Sequence, residues 1–143
     1  MTENKLNGLI DSNILVYSFE LAEKEKREKA KIFLEQRLKS KDSFVSIQNL
    51  AEFHYNITER MEKPVDIETA KNATNKFSLG FNVISYGILT ILNASNYQKI
   101  HKLHFWDALL AATMEENSID TIFTENEKDF KKIPWMKVIN PLK

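Results

Sequence analysis

The amino-acid sequence predicts an α/β fold with a central, mostly parallel sheet of four or five strands flanked by helices. Short apolar runs alternate with longer stretches in which apolar residues recur at helical spacing. No internal repeat or low-complexity linker interrupts the series, and the chain has only three glycines. Strands that alternate with helices imply right-handed crossovers, so the carboxyl ends of the strands share one edge of the sheet. Functional residues are therefore expected at that edge.

Five short segments have the length and the apolar content of strands. They cover residues 6–10, 43–47, 81–84, 121–123 and, as a candidate edge strand before Pro141, 136–139. The polar residues 11–13 have the character of a turn that follows the first strand.

Helical spacing of apolar residues predicts the segments between the strands to be helices. These segments cover residues 18–41, as one long helix or two short ones, 48–61, 66–80, 88–102 and 106–117. Pro64 prevents the second of them from continuing, because proline cannot supply the backbone donor.

The composition restricts the class of protein. A chain of 143 residues with 43% hydrophobic residues fits one domain, residues 1–143, that buries roughly 70% of its unfolded surface. Twenty basic and twenty acidic residues leave no net charge, so local patches must hold any nucleic acid. The absence of cysteine excludes disulfides and a thiol nucleophile. Residues 1–5 lack an apolar signal core and no long apolar run follows, so we expect a cytoplasmic protein without a membrane segment.

Four segments each place acidic residues at a break in an apolar stretch, namely residues 9–13, 50–53, 105–109 and 124–130. A carboxylate next to core-forming residues is costly to desolvate unless it is paired or bound to a cation. For Glu52 and Asp107, a favourable interaction with a helix dipole in the first turn is an alternative explanation. Asp11, directly after a buried strand, has fewer structural roles. Taken together, the segments indicate a shared site for a divalent metal.

These segments, in their order and spacing, resemble a PIN-domain ribonuclease of the VapC toxin type. The most specific of them is the Phe-Trp-Asp-Ala-Leu string at residues 105–109, and the resemblance covers nearly the whole chain. It implies a PIN-like three-layer fold in which Asp11, Glu52 and Asp107 bind Mg²⁺ or Mn²⁺. It also implies that polar neighbours support these carboxylates, and the candidates are Ser12, Asn13, Thr124 and Glu125.

The chain departs from the family pattern at one position. A fourth acidic residue often stands where this chain has Asn126, so Glu125 or Asp129 is the candidate to replace it. An asparagine can still bind a metal through its carbonyl oxygen, but one negative charge fewer should weaken the affinity for the metal. The candidate catalytic set therefore contains Asp11, Glu52, Asp107, Asn126 and Asp129.

Clustered carboxylates around a hard cation predict a metal-bound water that attacks a phosphodiester bond, and we expect the substrate to be RNA. The resemblance implies products with a 5′-phosphate and a free 3′-hydroxyl. An acidic site that accepts a polyanion needs basic groups at its rim, for which Lys128, Lys131 and Lys132 are candidates. Ordinary loop solubility explains these lysines equally well.

The resemblance further implies a cognate antitoxin and a homodimer. A groove for the antitoxin is expected near the helix before Lys41 and the helix after Gln48. A non-catalytic RNA-binding or scaffolding module and a stand-alone RNA-processing nuclease are alternatives. A phospho-accepting signalling domain also places carboxylates at strand ends, but residues 83–86 end the third strand without an acidic acceptor.

Overall fold

The computed structural model describes residues 7–143, and within them five parallel strands form one sheet in the order β3-β2-β1-β4-β5. The strands are Gly8–Ile10 (β1), Ser43–Ser46 (β2), Asn82–Ile84 (β3), Thr121–Phe123 (β4) and Lys137–Ile139 (β5). The parallel α/β sheet is confirmed, including the edge strand near the end of the chain. The start of the first strand at residue 6 and the expectation for residues 1–5 lie outside the described residues.

Helices cover both faces of this sheet. They are Ser12–Tyr17 (α1), Lys24–Ser40 (α2), Ile47–Tyr55 (α3), Ile67–Gly80 (α4), Ile88–His101 (α5), Phe105–Glu116 (α6) and Glu127–Phe130 (α7). None of those in the described part of the chain combines the length and the apolarity that crossing a bilayer requires.

The sheet separates two hydrophobic clusters, which gives the fold its three layers. Successive residues of a strand point to opposite faces. Accordingly Leu9 and Ile122 pack against α5 and α6, whereas Ile10 and Phe123 pack against α1 to α4. All four side chains are fully buried, as expected for central parallel strands covered on both sides.

The region after β1 differs from the sequence-based expectation. Residues 11–13 were expected to form a turn, but α1 begins directly at Ser12, and residues 18–23 separate it from α2. Asp11 caps α1 by accepting a hydrogen bond from the backbone amide of Ser12. Ile14 and Leu15 are fully buried. Six residues are too few to show helical periodicity, so the apolar contacts rather than the sequence pattern define this helix.

The helix after β2 was expected to continue to residue 61, but α3 ends at Tyr55 and a π-helical turn, Asn56–Arg60, follows. Ser46 begins α3, since its side chain and that of Asn49 form a reciprocal capping box. This cap fixes the direction in which α3 leaves the carboxyl end of β2.

Candidate active site

The carboxyl edge of the sheet carries the acidic residues that the sequence pattern selected. Asp11 follows β1, the central strand, and its backbone amide donates to the carbonyl of Phe123 at the end of β4. Glu52 lies in the second turn of α3, which leaves the neighbouring strand β2. Asp107 lies in the first turn of α6. The shared edge expected for parallel strands therefore accounts for their placement.

Asp11 is held through both carboxylate oxygens. The backbone amide of Ser12 donates to Oδ1 at 2.8 Å, and the side-chain amide of Asn49 approaches the same oxygen at 3.5 Å. The Thr124 hydroxyl donates to Oδ2 at 2.7 Å, and Asn13 Nδ2 lies 3.4 Å from it. These donors come from three parts of the chain, so they fix the orientation of the carboxylate.

Burial and the charges of neighbouring carboxylates disfavour the ionised forms of Asp11, Glu52 and Asp107. Burial raises the pKa of Asp11 to about 6 against an ordinary value of 3.8, with a contribution from the charge of Asp107, although hydrogen bonds from Thr124 and Ser12 oppose the shift. Burial, together with the charges of Asp11 and Asp107, raises the pKa of Glu52 to about 7. The pKa of Asp107 is also raised, mainly by burial and then by the charge of Asp129.

The set of donors fits a hard divalent cation. Among residues 7–143, no salt bridge involves Asp11, Glu52 or Asp107. No group of three or more Asp, Glu or His side chains in that range is arranged so that it could hold a metal ion. Mg²⁺ typically binds through one or two carboxylates and keeps several waters, so oxygen ligands that do not enclose the ion are compatible with it. Buried carboxylates that form no salt bridge within the described residues are a donor set of that kind.

Comparison with known families gives a direct assignment. The family model for the PIN domain matches residues 8–136. The chain belongs to the PIN domain family. This match spans the strands and helices that carry Asp11, Glu52 and Asp107.

Solved structures with the same fold agree with this assignment. A toxin-antitoxin complex from Klebsiella pneumoniae has a chain that is 24% identical, with a TM-score of 0.69 and coverage of 94% of this chain and 97% of that one. VapBC2 from Rickettsia felis, bound to a promoter DNA fragment, is 20% identical, with a TM-score of 0.67 and coverage of 92% and 96%. VapC20 from Mycobacterium tuberculosis, described as a sarcin-ricin loop cleaving toxin, is 16% identical, with a TM-score of 0.68 and coverage of 86% and 92%. The comparison with curated proteins gave no match.

The loop after β4 distinguishes the two candidates for the fourth acidic position of this PIN domain. Asn126 lies at the cluster, with Nδ2 3.4 Å from Asp107 Oδ2, and the charge of Asp129 raises the pKa of Asp107. Glu125 instead accepts a hydrogen bond from Tyr17 at 2.7 Å and pairs with Lys26 at 2.6 Å. Burial would raise the pKa of Glu125, but these two partners outweigh it and lower the pKa. Of the two, Asp129 is the one coupled to the carboxylate cluster.

The three candidate lysines of the PIN domain differ in their surroundings. Lys132 pairs with Asp129 at 3.4 Å, and its charge also lowers the pKa of Asp107. Lys131 pairs with Glu127 at 3.5 Å, one turn earlier in the chain. Lys128 is exposed. Of these three lysines, Lys132 is therefore the one with an electrostatic link to the cluster.

Sequence reasoning missed two polar residues of this PIN domain that lie beside the carboxylates. Asn49 donates towards Asp11, and Gln48 Nε2 lies 3.4 Å from Glu52 Oε1. The Ser46–Asn49 spacing is a capping signal, from which the start of α3 and the inward position of Asn49 were predictable. No sequence signal identified Gln48.

Proposed function

We propose that this PIN domain is a metal-dependent endoribonuclease that hydrolyses RNA phosphodiester bonds and acts in the cytoplasm as the toxin of a toxin-antitoxin pair. The observation that supports it most is the group formed by Asp11, Glu52 and Asp107 at the carboxyl edge of the sheet. Burial raises the pKa of all three, the charge of Asp107 adds to the shift of Asp11, and the charges of Asp11 and Asp107 add to that of Glu52. Such an arrangement requires a cation to become favourable, as in a metal-dependent nuclease.

Asp11, Glu52 and Asp107 would hold Mg²⁺ or Mn²⁺. When bound, the ion supplies a water of lowered pKa and positive charge for the phosphate. Ser12 and Thr124 keep the Asp11 oxygens oriented through their hydrogen bonds at 2.8 and 2.7 Å. Lys132 would bind a phosphate of the RNA, because a cation at the rim of an acidic site offsets the repulsion of a polyanion.

The direct test is incubation of purified protein with total tRNA and rRNA in the presence of Mg²⁺ or Mn²⁺. We expect discrete fragments that disappear when EDTA is added. Fragments that persist in EDTA would contradict metal dependence. If no fragments appear although the RNA binds, the non-catalytic RNA-binding module, favoured by Asn126 in place of an acidic residue, becomes the better explanation.

The fourth position allows a gain-of-function test. Asn126→Asp adds a carboxylate next to Asp107, and the affinity of oxygen-ligand sites rises with the number of charged ligands. We expect Mn²⁺ to bind about tenfold more tightly, measured by isothermal titration at pH 8. Asn72→Asp, which adds the same charge on the exposed surface of α4, is the matched control. Equal affinities of the two variants would show that residue 126 does not contribute to the metal site.

We infer that an antitoxin binds a cleft between α2 and α4. The cleft has a volume of about 680 Å³ and contains apolar side chains, among them Leu34 and Phe77. Among the described residues, four basic side chains and one acidic side chain also line it, namely Arg27, Lys31, Lys63, Lys76 and Glu35. This surface suits an amphipathic segment with acidic side chains at its margins. Loss of binding to a co-expressed antitoxin in Lys31→Glu would support this site, and unchanged binding would contradict it.

We infer that two copies of the chain pair through α5. Leu89, Leu92 and Ile100 lie on one side of this helix and are 74%, 58% and 70% exposed. Exposed large apolar side chains that share one side of a helix are typical of an interface. We expect Leu92→Glu to convert a dimer into a monomer in light scattering, whereas Leu79→Glu on α4 should have no effect. A monomeric wild type would contradict this inference.

A further inference from the structure

Gln48 joins the two helices that carry Glu52 and Asp107. It is the second residue of α3 and is only 6% exposed. Its Nε2 donates to the backbone carbonyl of Trp106 at 2.9 Å and lies 3.4 Å from Glu52 Oε1. Trp106 immediately precedes Asp107 in the first turn of α6. One amide group therefore contacts one candidate ligand and the backbone next to another.

The other atom of this amide is not satisfied. Gln48 Oε1 is buried and has no hydrogen-bond partner among residues 7–143. Turning the amide over would not help, because it would place the oxygen against two other acceptors, the Trp106 carbonyl and the Glu52 carboxylate. A buried acceptor without a partner opposes folding, and an apolar side chain of similar size would avoid this cost. Buried polar atoms without a hydrogen-bond partner are rare in folded proteins and occur preferentially at functional sites.

We propose that Gln48 is a positioning residue that ties Glu52 to the first turn of α6 and so fixes the separation of Glu52 from Asp107. This inference rests on the proposed metal-dependent function. In this proposal Nε2 is the atom that positions Glu52: it contacts one carboxylate oxygen and leaves the other oxygen available to bind the metal. Hydrogen-bond partners of metal-binding carboxylates orient them, and removal of such partners typically weakens metal binding.

The test uses Gln48→Met, which keeps the length and burial of the side chain but removes the donor. We expect about tenfold weaker Mn²⁺ binding to the full-length, metal-free protein in isothermal titration at pH 8. The melting temperature of the metal-free protein should be unchanged or higher, because the variant also removes the unsatisfied acceptor. Thr113→Val is the control, since it removes another buried side-chain hydrogen bond of α6, to Leu109. Its Mn²⁺ affinity should equal that of the wild type.

Wild-type Mn²⁺ affinity or loss of folding in Gln48→Met would overturn the proposal. If wild-type protein neither binds Mn²⁺ nor cleaves RNA, the proposed function fails and this inference fails with it. If the wild type does both and Gln48→Met binds Mn²⁺ as tightly as the wild type does, only this inference fails.

Discussion

Replacing Asp11 by Asn should lower the rate of RNA cleavage by about a thousandfold or more while the protein stays folded. The substitution removes the negative charge of Asp11 and keeps one oxygen, which can accept the hydrogen bond from the Ser12 amide, while the new side-chain nitrogen faces the Thr124 hydroxyl, which can accept from it. Because burial raises the pKa of Asp11 to about 6, ionised Asp11 costs about 3 kcal/mol of stability at pH 7 without metal. The neutral amide avoids that cost. Initial cleavage rates with Mn²⁺, together with circular dichroism, measure both effects.

The matched control is Asp120→Asn. Asp120 is a surface residue, 56% exposed in its side chain, that pairs with Lys137 at 3.6 Å. The same chemical change there should leave cleavage at the wild-type rate. If the Asp11 variant retains more than a tenth of the wild-type rate, the nuclease activity does not depend on this cluster.

The second large effect concerns stability without metal. The folded-state pKa values of Asp11 and Glu52, about 6 and about 7, lie above their ordinary values of 3.8 and 4.5. The folded protein therefore binds these protons more tightly than the unfolded chain does, so the contribution of both groups to stability falls as pH rises from about 4 to about 7. Above that range it stays low. A bound cation should reverse the loss, so Mn²⁺ should raise the melting temperature at pH 8 and have little effect at pH 4.

The difference in the free energy of unfolding between wild type and Asp11→Asn isolates the contribution of Asp11 to stability. A carboxyl group whose pKa is lowered in the folded state, such as Glu125, instead makes stability increase as pH rises, so the wild-type curve alone mixes both effects. We therefore expect the free energy of unfolding of Asp11→Asn, measured with urea in EDTA from pH 4 to pH 8, to increase relative to that of the wild type as pH rises. The increase should be about 3 kcal/mol at most. A constant difference across this range would contradict the assigned pKa shift of Asp11.

The sequence was sufficient for the sheet and for the three acidic residues at its edge. β1 and β4 are short apolar runs, and a parallel sheet brings Asp11 and Thr124 together after those strands. The apolar string that begins α6 identified Asp107. In each case a local pattern and the shared strand edge determined the position, so no tertiary detail was needed.

The remaining features depend on contacts that no local pattern encodes. α1 has only six residues, and burial of Ile14 and Leu15 stabilises it rather than amphipathic spacing. Glu125 and Asp129 were equivalent candidates in the sequence until Lys26, on α2, was found paired with Glu125. Gln48 reaches Trp106 across 58 positions of the chain. Such pairings follow from the packing of helices on the sheet.

The central claim is that RNA hydrolysis depends on a divalent ion held by Asp11, Glu52 and Asp107. The most direct measurement is the cleavage rate of one RNA substrate as a function of free Mn²⁺, recorded beside the Mn²⁺ binding curve of the same metal-free protein. We expect both to reach half-saturation at the same concentration, and both to be lost in Asp11→Asn. Cleavage without Mn²⁺ binding, or saturable Mn²⁺ binding that Asp11→Asn leaves unchanged, would contradict this account.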